Sequence, residues 1–87
     1  MDPTLEAVDH TIEIGRKQIA DQERVIEGQR SFIAELDRSG DYQAAENSRA
    51  LLGAMEDLLL EMRRDLAAAE QYRAERLTEN RRWSGGL

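Results

Sequence analysis

The sequence predicts an all-α fold, an antiparallel two-helix coiled-coil hairpin that dimerises into a four-helix bundle. Three observations carry that expectation. Apolar residues recur at alternating spacings of three and four through most of the 87 residues, the heptad pattern of a left-handed coiled coil. A single strong turn signal, "DRSGDYQ", interrupts the pattern. A second apolar stripe runs beside the first, more apolar surface than one hairpin seam can cover. Composition agrees, because one proline, 5% aromatics and abundant Glu, Arg, Ala, Leu and Gln favour long helices.

The first helix is expected over residues 3–38. "MDPT" starts it, with Asp2 or Thr4 as the cap and Pro3 tolerated in the first turn. Its core rows are Leu5, Ile12, Ile19, Ile26 and Ile33 at heptad position a, and Val8, Gly15, Gln22, Gln29 and Leu36 at d. Residues 39–41 form the turn: Gly40 suits the left-handed position just past a helix, and Asp41 caps the next one. The second helix is expected over 42–80, with Ala45, Leu52, Leu59 and Leu66 at a, and Ser48, Met55, Met62 and Ala69 at d. At ~1.5 Å per residue each arm spans roughly 50–55 Å. Residues 1–80 thus form one hairpin domain, and 81–87, ending in "WSGGL", read as a flexible tail.

Register follows from the turn. If Leu36 faces Ala45, the later layers are Ile33–Ser48, Gln29–Leu52, Ile26–Met55, Gln22–Leu59, Ile19–Met62, Gly15–Leu66 and Ile12–Ala69. Large meets small in the last two, as interdigitated side chains require. The flanking e positions give a second check. Side chains lean toward their own helix N-terminus, which pairs Arg16–Glu70, Glu23–Arg63, Arg30–Glu56 and Asp37–Arg49, all opposite in sign. The other offset gives Arg16–Arg63, Glu23–Glu56 and Arg30–Arg49, all repulsive. Beyond Ala69 the core rows carry Arg73 and Arg76, so the seam is expected to fork open there, the acidic start of one helix meeting the basic end of the other.

The second stripe is the candidate oligomer interface. It consists of Val25, Phe32, Ala44, Leu51 and Leu58 at g, with Ile14 and Ala54 at c. Away from the turn the g row becomes polar: Thr11, Gln18, Asp65 and Tyr72. Two hairpins related by a two-fold axis would bury both stripes, so the chain itself is the first expected partner. Gln22 and Gln29 are the candidate register-setting polar residues, since a seam amide must find hydrogen-bond partners. They are expected to pair between chains or to hold a water, a ligand pocket being the sharper alternative. Gly15, costly in a helix, is expected to allow close approach to Leu66.

The segments "IEIGRKQIADQERVI" and "AENSRALLGAMEDLLLEMRRDL" resemble small helical-hairpin proteins of alpha-proteobacteria. The matching positions are Ile12, Gly15, Ile19, Gln22, Gly40, Asp41, Leu51, Leu52 and Glu56. Relative to that pattern, "EGQRSFI" looks like an added heptad, and Thr11 stands where members carry histidine, His10 lying one place earlier. The resemblance implies a hairpin fold and a bacterial setting, and no activity.

Other functions are argued against one by one. The net charge of −6 repels phosphate backbones and anionic lipid, which makes nucleic acid and membranes poor partners. No apolar run approaches the ~20 residues that cross a bilayer. An acidic N-terminus without an apolar export core, and no cysteine, suit the cytoplasm. His10, the sole histidine, falls on the outer f row; a phosphotransfer role is the alternative to a solvated side chain, but the lysine-glycine that follows such histidines is absent. Glu6, His10 and Glu13 share a face on which a metal would bind weakly. No zinc spacing, phosphate loop, nucleophile elbow or paired inward carboxylates occur, so neither enzyme activity nor a cofactor is expected. Arg81, Arg82 and Trp83 are the candidate contact for an unidentified, acidic protein partner, the anti-regulator reading, or for a lipid surface; the plainer expectation is that Trp83 folds back over Leu5, Val8 and Leu77 or is disordered. The function these residues favour is a non-catalytic interaction module, a homo-oligomeric hairpin that scaffolds or regulates.

Overall fold

A computed structural model of the chain describes residues 2–85, with side chains through Trp83. Two helices, α1 (Pro3–Ser39) and α2 (Tyr42–Gly85), lie antiparallel in a rod 71 Å long and 16 by 13 Å across. There is no strand among the described residues.

Asp2 caps α1. Its backbone is extended and its carboxylate accepts the Thr4 N–H at 2.9 Å, leaving Pro3, which has no N–H to satisfy, in the first turn. At the other end Gly40 adopts φ 80°, a left-handed conformation that costs a glycine little. The Gly40 N–H donates to the Asp37 carbonyl at 3.2 Å and the Asp41 N–H to Leu36 at 3.0 Å, a Schellman closure. Asp41 then caps α2, its carboxylate accepting the Ala44 N–H at 3.3 Å. Two residues therefore reverse the chain.

The core follows the two heptad rows. Ile12, Ile19, Ile26 and Ile33 of α1 are buried with Ala45 and Leu59 of α2, and Leu52, Met55, Met62 and Leu66 lie half-buried against them. All four predicted ion pairs form on the e flank: Arg16–Glu70 at 3.7 Å, Glu23–Arg63 at 3.9 Å, Arg30–Glu56 at 3.3 Å and Asp37–Arg49 at 2.5 Å. Every partner is well exposed, so each pair contributes only ~0.2–1 kcal/mol. Their collective role is to favour one register over its repulsive neighbour.

Two expectations are corrected. The seam does not fork beyond Ala69. Asp9 pairs with Arg73, Asp2 lies 3.3 Å from Arg76, and the Asn80 amide donates to Asp2 at 2.9 Å. The apolar rows end there, but the expected meeting of the acidic start of α1 with the basic end of α2 does form and, with the Asn80 amide, holds the helix ends together. Nor does α2 stop near residue 80. It runs to Gly85, because Arg81, Arg82 and Trp83 are compatible with helix. Of the expected tail, 81–85 are helical and 86–87 lie outside the described residues.

Candidate functional site

The uncovered face of the hairpin is the main candidate. Val25, Phe32, Leu51 and Leu58 each keep about half their surface exposed (49–52%), while Ile26, one residue from Val25, keeps 3%. Heptad geometry causes the contrast: a and d side chains point into the seam, and g side chains stand beside it. Ile14 and Ala54 are exposed on the same side, and Ala44 is half-buried. Near the turn this side is continuous and apolar. Leu60 and Tyr42 are also exposed but fall at b and e, off the stripe.

Farther from the turn the face changes. Gly15 leaves a groove of about 290 Å³ floored by Met62, Leu66 and Ala69, with Ile14, Gln18 and Asp65 on its rim. A Cβ placed on Gly15 would lie 3.5 Å from Leu66 Cδ1, an ordinary contact. The expected close approach is therefore present but loose enough for a methyl group, and the visible consequence of the glycine is the groove.

Gln22 and Gln29 find partners within their own chain. Each amide donates across the seam within its own chain, Gln22 to the Met55 carbonyl at 3.1 Å and Gln29 to the Ser48 carbonyl at 3.0 Å. The donors are one heptad apart on α1 and the acceptors one heptad apart on α2, so the same clamp occurs twice. Each carbonyl has a second lone pair beyond the one used in its helix, which is what the amide occupies. One N–H of each amide is thus satisfied within the chain, and each side chain has a second N–H and an oxygen besides. Spacing had identified the residues; their partners are backbone atoms, which side-chain spacing does not reveal.

The far end is the most polarised part of the molecule. Asp2 accepts from Thr4, Asn80 and Arg76 together, and its side chain retains 18% of its exposure. The Asn80 hydrogen bond, aided by Thr4 and Arg76 and opposed by partial desolvation, lowers its pKa from 3.8 to about 2. A carboxyl depressed on folding stabilises the native state above its unfolded pKa and loses that contribution as pH falls through its folded one. Stability should therefore drop between about pH 4 and pH 2. The drop should be shallower in Asp2→Asn, which keeps a capping side chain but cannot titrate; melting temperatures of both proteins across that range check this, and parallel curves would refute it. Asn80 was not singled out from sequence, since an asparagine at a heptad a position carries no signal of its own partner.

Trp83 does not fold back. It is 73% exposed, on the turn of α2 with Arg81 and Arg82 that projects past the start of α1. His10, Glu6 and Glu13 are exposed on α1, and no group of three or more His, Asp or Glu side chains among the described residues is arranged to hold a metal ion. No helix among them is long and apolar enough to cross a membrane. No protein-family model, curated protein or solved structure matches the chain.

Proposed function

We propose that the chain is a non-catalytic protein–protein interaction module, a helical hairpin that works as a homodimer and presents its ends to a further partner as scaffold or regulator. One observation carries this reading: the contiguous, half-exposed apolar face of Val25, Phe32, Leu51 and Leu58 on a molecule whose own seam is already filled. Fully burying each such side chain is worth ~1.5–3 kcal/mol, so burying the remaining half of these four on two chains supplies about 6–12 kcal/mol, of the order of the cost of association. The core of a single hairpin is one row of side chains wide, which is thin for a stable domain of this size. The exposed Arg81, Arg82 and Trp83 turn is the natural contact for an acidic protein.

Sedimentation equilibrium tests the dimer. The wild type should run at twice the chain mass, and Phe32→Glu with Leu51→Glu should run as a monomer or unfold. Wild-type protein at the monomer mass, or a double variant that stays dimeric, rejects the interface. A helical signal measured on the same samples separates dissociation from unfolding.

A further inference from the structure

We infer that the two copies pack side by side with their turns at the same end, the two-fold axis lying along the rod. This rests on the dimer proposed above and adds its orientation. The opposite flank is closed by the four ion pairs, so the g face is the one free to receive a copy. Viewed from the side, the rod measures 71 by 16 Å, roughly 1,100 Å², enough for the ~800 Å² per partner of a standard interface.

The distribution of chemistry along that face selects the orientation. Its apolar half, Val25, Phe32, Leu51 and Leu58, lies toward the turn, and its polar half, Thr11, Gln18, Asp65 and Tyr72, lies away from it. With the axis along the rod, every residue meets a partner at its own height. The ion pairs show that side chains lean toward their helix N-termini. A lean in that direction of about one residue on each helix places Phe32 against the partner's Leu51, Val25 against the partner's Leu58, Gln18 against the partner's Asp65 and Thr11 against the partner's Tyr72. Apolar meets apolar, and an amide donor meets a carboxylate.

Turned end for end with full overlap, the apolar half instead covers the partner's Thr11, Gln18 and Asp65. That buries a carboxylate under leucine and valine without a donor, which costs several kcal/mol. Sliding the reversed copies until their apolar halves meet relieves the clash, but shortens the shared length and leaves the outer part of each rod unpaired. The side-by-side arrangement brings both copies of Arg81, Arg82 and Trp83 to one end of the bundle, where they form a two-fold symmetric, cationic and aromatic tip.

The chain has no cysteine, so a single introduced one is a unique label site. Gln43→Cys and Thr78→Cys lie on the exposed outer f row of α2, near opposite ends of the rod and away from the proposed interface. Spin labels on the full chain should give inter-chain distances of roughly 30–40 Å at both sites, the diagonal of a four-helix bundle plus the label arms. A dimer with a separation beyond roughly 55 Å at either site is reversed, and overturns the orientation alone. A monomer mass with no inter-chain distance overturns the orientation together with the dimer.

Discussion

Ile26→Ala lowers the free energy of unfolding by roughly 2–5 kcal/mol, the loss expected when a fully enclosed isoleucine is cut back to its Cβ. Ile26 is 3% exposed and belongs to the cluster with Ile19 and Leu59, at the middle of the seam. Helix ends fray and accommodate a missing side chain by small shifts, whereas the middle of a straight seam is held from both directions and leaves the cavity open. Small domains are stable by only ~5–15 kcal/mol, so this single truncation removes a large share of the total. Urea unfolding followed by helical signal measures it, with the slope against denaturant unchanged if only stability has moved. A shift under about 1 kcal/mol would mean that the core does not run through Ile26 and that the heptad rows are wrongly assigned.

The neighbouring position separates the two apolar layers. Val25 sits one residue away, half-exposed on one chain. Its contribution to stability depends on what covers the g face, whereas that of Ile26 depends on the hairpin alone.

Much of this architecture was legible because a heptad sequence writes its geometry along the chain. The spacing of Ile12, Ile19, Ile26 and Ile33 located the seam, and Gly40 with Asp41 located the reversal. Together they fixed which charges met, so the four e-flank pairs could be named individually. The misses share a different cause. Arg73 and Arg76 at core positions suggested separation, because a core row is expected to be apolar; the acidic start of α1 was expected to meet them, and Asp9 and Asp2 do so closely enough to keep the ends together. Long polar side chains reach beyond their heptad slot, and spacing alone does not say where they end. The same holds for Gln22 and Gln29, whose partners are carbonyls that every sequence possesses and none advertises. The uncovered face was legible as a composition; its occupant is a property of two molecules.

Replacing the seam glutamines by glutamate tests the double clamp with almost no change in shape or helix propensity. Gln29→Glu exchanges the donor that meets the Ser48 carbonyl for a charged acceptor, and Gln22→Glu does the same at Met55. Two oxygens then face each other in a half-buried seam, and each change should cost about 2–3 kcal/mol at neutral pH. The introduced carboxyl would have its pKa raised on folding, so the penalty is present above that folded value, shrinks as pH falls through it, and is gone below the unfolded value of about 4. Gln22→Leu with Gln29→Leu should act in the opposite direction. The Met55 and Ser48 carbonyls keep their intrahelical partners, no acceptor is orphaned, and two apolar side chains join the seam, so stability should rise by about 1–3 kcal/mol. Thermal and urea unfolding of the four proteins at pH 4 and pH 7 measure both signs. If glutamate were neutral at pH 7, the amides would be reaching water rather than the opposite helix, and the clamp would play no part in fixing how α1 and α2 meet.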